Sequence, residues 1–211
     1  MQKIYIDDTD VLTSYGVFLI QEQGLFDPLV PKHKYKFDWP DEHGIQYSHT
    51  DKLMKERKFT LKLGIKSTSK ADYKEDIHTF LELFYAPGLR MLRLADIDKV
   101  YMVDINASKP VQRLTHWNDT LMVAVFYLNL IEPEPINRQY YSTGTSVQVS
   151  LTTDNDELFT IYWGDGSVDT ITEATSPVTN STLGAGKYIV IAGRKENIAS
   201  LTVSNSTEVT W

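Results

Sequence analysis

Phe59-Thr60-Leu61-Lys62-Leu63-Gly64-Ile65-Lys66 leads into Ser69-Lys70-Ala71-Asp72-Tyr73 and a run that halts at Ala86-Pro87-Gly88. In the first stretch apolar residues alternate with polar ones or glycine, the period of a half-buried strand. In the second, S-x-x-D opens a helix, with Asp72, Glu75 and Asp76 near the positive end of its dipole. Tyr73, Ile77, Phe80, Leu81 and Phe84 then recur at helical spacing, and Pro87-Gly88 stops the run. The pattern predicts a long strand feeding one amphipathic helix that lays its apolar stripe on a sheet.

Strand signals dominate outward from this pair. Arg90–Leu94 and Val100–Ala107 read as strands joined by the acidic turn Asp96-Ile97-Asp98. Leu121–Ile131 is an almost unbroken apolar run, which predicts a strand covered on both faces. Upstream, Tyr15–Gln21 and Tyr35–Phe37 are weaker strand candidates. Asp38–Lys58 is polar and aperiodic, and reads as a long loop or an extended hairpin used for contact.

The composition shifts at Ile131-Glu132-Pro133-Glu134-Pro135-Ile136-Asn137, where two prolines favour an extended connection. Beyond it, Ser and Thr rise and long charged side chains thin out. Splitting after Ile136 leaves both parts acidic, with 17 Lys+Arg against 20 Asp+Glu before it and 4 against 8 after it. We expect two domains, residues 1–132 and 140–211, joined by a linker at 133–139. In the second, Val147, Val149 and Leu151 alternate with polar residues, as do Phe159, Ile161 and Trp163 ahead of the turn Gly164-Asp165-Gly166. Val168–Thr172, Tyr188–Ala192 and Ser200–Val203 complete a small β-sandwich with no helix longer than a turn. The expected class is therefore mainly β, with one flanking helix.

Composition removes several function classes. None of the 211 residues is cysteine, so disulfides, thiolate metal sites and thiol nucleophiles are excluded. A net charge of -7 argues against a chain that grips nucleic acid. No window reaches the roughly 18 apolar residues needed to cross a bilayer. The start Met1-Gln2-Lys3-Ile4-Tyr5-Ile6-Asp7-Asp8 has no signal-peptide core, which points to a protein that stays in the cytoplasm or leaves it within an assembly.

The chemistry-bearing residue types do not form a catalytic or cofactor pattern. Asp165 and Asp169 around the Gly164–Gly166 turn lack the spacing of an EF-hand, and a tight hairpin turn accounts for them. Asp7, Asp8 and Asp10 read as a solvated acidic edge. His33, His43 and His49, near Asp38, Asp41 and Asp51, lack the H-x-x-x-H spacing that sets two zinc ligands on one helix face, and read as contact-loop histidines. Gly184-Ala185-Gly186-Lys187 is a turn without the rest of a phosphate-binding loop. There is no nucleophile elbow. Catalytic, cofactor and metal residues are accordingly assigned to none.

Two resemblances add to this reading. Phe37-Asp38-Trp39-Pro40-Asp41-Glu42-His43-Gly44 and Glu56–Ile65, continued through the helix, the Ala86–Gly88 stop, the strands around Val103 and the strand at Val123–Leu130, resemble the N-terminal domain of phage distal tail proteins and related tail-tube proteins. Over residues 1–132 the resemblance implies a β-barrel or sandwich flanked by a helix, a homo-oligomeric ring around the channel for DNA, and other tail-tube and baseplate proteins as partners. It places the chain in a virion tail assembled in the bacterial cytoplasm. An acidic wall would let DNA slide without sticking. Separately, Ile161-Tyr162-Trp163-Gly164-Asp165-Gly166 and Leu183–Ile191 resemble the W-G-D-G and G-x-Y signatures of polycystic-kidney-disease-type, immunoglobulin-like modules, with Tyr188 expected to pack from a later strand. That resemblance implies a spacer, or a surface module contacting a host polysaccharide. A non-catalytic, glycan-binding adhesin is the competing reading.

Overall fold

The structure, a computed structural model, describes residues 3–32, 36–37, 40, 43, 46–47, 53–97, 99–116, 119–153 and 157–210. The N-terminal half holds β1 (Ile4–Ile6), β2 (Thr9–Asp10), α1 (Val11–Tyr15), β3 (Val17–Gln23), β4 (Lys36–Phe37), β5 (Gln46–Tyr47), β6 (Arg57–Ser67), α2 (Lys70–Tyr85), β7 (Arg90–Leu94), β8 (Val100–Arg113) and β9 (Met122–Glu132). The C-terminal half holds β10 (Asn137–Ser142), β11 (Val147–Thr153), β12 (Phe159–Trp163), β13 (Val168–Ile171), β14 (Val178–Asn180), β15 (Tyr188–Ala192), β16 (Ile198–Val203) and β17 (Ser206–Val209). The chain is mainly β, as its patterning predicts.

A seven-stranded antiparallel sheet, ordered β2-β1-β7-β8-β9-β6-β3, organises the first half. It does not close into a barrel, because β2 and β3 are edges. β8 changes partner along its length: Val100–Val103 pair with β7, and Asp104–Arg113 pair with β9 through two register shifts. Bulges of this kind bend a strand. Phe59, Leu61, Leu63 and Ile65 of β6 all point into the core.

The helix forms as its signals require. Ser69 caps α2 by accepting a hydrogen bond from the Asp72 amide, and Ala86 ends it. Its buried stripe is Tyr73, Phe80 and Phe84, with Ile77 and Leu81 half-buried against the same core. Phe80 is fully buried and meets Phe126 of β9 edge-on at 5.8 Å. The short helix α1 was not expected; Asp10 caps it and Tyr15 belongs to it rather than to a strand.

β9 departs from the expectation of two covered faces. Its residues alternate strictly between buried and half-buried, because only the even-numbered side chains meet the core. The strand covered on both faces is β15, where all five residues are buried.

In the second half, the five-stranded sheet β13-β12-β15-β10-β17 faces the three-stranded sheet β14-β11-β16. Val147, Val149 and Leu151 from one sheet and Phe159, Ile161, Trp163, Ile189 and Ile191 from the other share one core, which makes this half a β-sandwich. Gly166 turns the β12–β13 hairpin with φ 89°. Gly164 serves a different need: a Cβ there would sit 2.7 Å from the Tyr188 carbonyl oxygen. β10 begins at Asn137, inside the stretch expected to be linker.

Most of the polar 38–58 stretch lies outside the described residues, as do His33, His49, Asp38, Asp41 and Asp51 and most of Phe37–Gly44. The described parts include the antiparallel pair Lys36↔Tyr47 and Phe37↔Gln46, an exposed His43, and Leu53–Lys58, where Met54 bridges Pro31.

Candidate functional site at the junction of the two halves

The period-two pleat of β7 and β8 gives them two apolar faces. Leu92, Tyr101 and Val103 enter the N-terminal core, while Met91, Val100 and Met102 point the other way. β15 does the same: Ile189 and Ile191 enter the sandwich core, and Tyr188 and Val190 face outward. These outward faces meet, with Leu89, Tyr162 and Val209 packed around them, in a third apolar cluster that joins the halves. Tyr188 therefore packs across the junction rather than into the sandwich core. The signal for this was present in Tyr188-Ile189-Val190-Ile191-Ala192, an unbroken apolar run on a strand too short to be a helix.

Polar contacts fix the register of the junction. Gln139 of β10 is 3% exposed, and its amide reaches across to Val100. Its Oε1 accepts from the Val100 amide at 3.1 Å, and its Nε2 donates to the Val100 carbonyl at 2.8 Å. Lys187 Nζ pairs with Asp8 Oδ2 at 2.7 Å. Asp7 accepts from the Met91 amide at 2.8 Å and lies 3.3 Å from Arg90, and Asp10 pairs with Lys3 while capping α1. The acids expected to form a solvated edge are thus committed to structural contacts, since turns at positive φ aim Asp7 and Asp8 at neighbouring strands. Asp165 and Asp169 are likewise occupied: Asp165 accepts from Ser167 and Asn180, and Asp169 accepts from the Trp163 indole at 2.7 Å. Among the described residues no group of three His, Cys, Asp or Glu side chains is arranged to hold a metal ion.

At the end of β9, where the chain leaves for the second half, Glu132 is fully buried. Burial pushes its carboxyl up to about 7, against the opposing pull of Arg57, whose Nε lies 3.4 Å away, and of Lys99. Burial also lowers the Lys99 ammonium and raises the Tyr101 hydroxyl. Arg57 stacks over Tyr101 at 5.6 Å and donates to the Leu25 carbonyl.

A cleft of about 490 Å³ opens on the junction, lined by Asp8 and Arg93 from the first half and Tyr141, Gly186, Tyr188 and Thr210 from the second. A second surface feature is the edge at β3. Ile20 is 45% exposed at the bulge in its pairing with β6, and Phe26 and Val30 just beyond it are 67% and 56% exposed.

The fold built from these two halves is similar to that of a solved phage protein. The chain has the fold of SPP1 Dit. The match to the SPP1 Dit (gp 19.1) protein, a paradigm of the hub adsorption apparatus in phages infecting Gram-positive bacteria, has a TM-score of 0.51 and 11% identity. It covers 90% of this chain and 98% of SPP1 Dit, so both halves take part. A chain of the phage p2 baseplate in its activated conformation with strontium aligns over 99% of each chain at 8% identity and a TM-score of 0.45. No protein-family model and no curated protein matches the sequence. The Dit fold extends the distal-tail resemblance seen in residues 1–132 to the organisation of the whole chain.

Proposed function

We propose that this chain is a structural component of a phage or prophage tail: a ring-forming subunit of the distal-tail type at the junction of tube and baseplate. In this reading residues 1–132 are the assembly domain, 133–139 the connection, and 140–211 an appended immunoglobulin-like sandwich of the polycystic-kidney-disease type. The observation that carries it is the Dit fold, shared over nearly the full length of both chains. The edge at β3 supports assembly, because an exposed strand edge with apolar side chains beside it is a template for pairing. Ile20, Phe26 and Val30 are the contact residues assigned to a second copy. The partners are further copies and other tail-tube and baseplate proteins, and the site of action is the virion tail, assembled in the bacterial cytoplasm. The net charge of -7 suits a wall past which DNA moves without binding. No catalytic role is included.

Native mass spectrometry of the purified chain tests the proposal. A ring of defined copy number is the expected result, and a strict monomer at high concentration, alone and with tail-tube protein added, overturns it.

A second reading gives the C-terminal half a role in contacting a surface polysaccharide. The observation favouring it is the junction cleft, where Tyr141 presents a 40%-exposed ring beside Arg93.

A further inference from the structure

The cleft at the junction contains a cation, Arg93, that pairs with no carboxylate among the described residues. The Arg93 guanidinium stacks on Tyr5 with its carbon 4.0 Å from the ring centroid, and lies 5.8 Å from the centroid of Tyr188. Its Nε is buried and makes no hydrogen bond, and among the described residues no carboxylate pairs with it. Asp8, the nearest acid in the lining, is already neutralised by Lys187 at 2.7 Å. A stacked guanidinium is held in one orientation, with its planar fork of donors free to take a carboxylate or phosphate edge-on. The walls are aromatic: Tyr141 meets Tyr188 edge-on at 5.1 Å and keeps much of its ring in solvent. Gly186 adds no side chain to fill the space; a Cβ there would sit 3.4 Å from the Tyr141 hydroxyl.

We infer that this cleft is a binding site for an anionic saccharide, with Arg93 taking the phosphate or carboxylate group and Tyr141 lying against the sugar ring. The cation sets the charge of the ligand, and the exposed ring beside it favours a sugar over a bare anion. The inference rests on the polysaccharide reading for the class of ligand, and is independent of ring assembly. It also explains why the site needs both halves: Arg93 comes from β7, whereas Tyr141 comes from β10.

Calorimetric titration of the full chain tests it, using glucose 6-phosphate, glucuronate, glucose, inorganic phosphate and a phosphorylated wall polysaccharide. Both anionic sugars should bind about tenfold or more tightly than glucose, the gap set by a charge-assisted bidentate pair. Arg93→Gln should remove that gap. Tyr141→Ala, at an exposed position that leaves folding intact, should weaken sugar phosphate binding severalfold and leave inorganic phosphate unchanged. Equal binding of glucose and the anionic sugars overturns the inference. So does inorganic phosphate matching glucose 6-phosphate with no effect of Tyr141→Ala. If wall polysaccharide binds and neither variant alters it, the site is wrong while the polysaccharide reading stands. If no saccharide binds at all, both fall.

Discussion

Gln139 hydrogen-bonds both backbone groups of Val100, imitating with a side chain the two bonds that a neighbouring strand would supply. Val100 is the first residue of β8, and its backbone there has no strand partner on the side that faces β10. Gln139→Leu leaves a buried amide and a buried carbonyl unsatisfied, which costs about 2–4 kcal/mol in all. The expected outcome is a lower midpoint of urea unfolding together with faster amide exchange at Val100. Gln139→Glu can replace only the accepting half of the contact and should lie between the two.

Glu132 makes stability depend on pH with a sign opposite to that of an ordinary paired carboxylate. Its folded value, about 7, lies above the usual 4.5, so the folded state holds the proton more tightly. Its contribution is therefore greatest below pH 4.5 and is lost as pH rises through 7, with a total of about 3 kcal/mol. Glu132→Gln should flatten this part of the stability profile between pH 5 and 8, as read by chemical denaturation at a series of pH values. An unchanged slope in the variant would contradict the assignment.

Phe80 anchors α2 through contacts with Tyr15, Phe84 and Phe126. Phe80→Ala opens a cavity under the helix and should destabilise by about 3–5 kcal/mol. Tyr85→Ala, next to Phe84 in sequence but off that stripe and 64% exposed, should stay within about 0.5 kcal/mol. Thermal unfolding of the two variants side by side reads the difference.

Gly164→Ala drives a methyl group against the Tyr188 carbonyl, so β12 and β15 must move apart. A loss of about 1–3 kcal/mol is expected from overpacking. A change confined to turn conformation would instead make Gly166→Ala the more damaging substitution, and denaturant midpoints of the pair separate the two cases.

Phe26→Asp changes an exposed side chain and should leave the stability of the subunit within about 0.5 kcal/mol. The same substitution should abolish assembly, because it buries a charge at the proposed contact between copies. Native mass spectrometry and unfolding curves on one preparation check both halves of this prediction.

The legible parts of this fold are those that local chemistry decides. Ser69, the Tyr73–Phe84 stripe and Pro87-Gly88 specify α2 to within a residue, and the alternation at Phe59–Ile65 identifies the inward face of β6. The bounds of β7 are those expected, Arg90–Leu94. What escaped is what depends on a partner distant in sequence. Asp7, Asp8 and Gln139 look like surface residues until Met91, Lys187 and Val100 are brought beside them. The expectation of two covered faces on β9 fails for the same reason, since an apolar run does not reveal which neighbour covers its second face. The junction cleft was illegible because Arg93 and Tyr141 belong to different halves.

The bridge from Asp8 to Lys187 spans 179 positions of the chain. β1, the strand beside it, pairs with β7 and with nothing nearer than β2. A ribosome making this protein therefore releases β1 and its neighbour β2 well before β7, the partner on the other side of β1, has been made. Contacts of such separation slow folding and prolong the exposure of unpaired edges. Ile4 and Ile6, both buried at the end, spend the interval in solvent. At an elongation rate of roughly 5–20 residues per second, Asp8 waits about 9–36 s for Lys187 to be made.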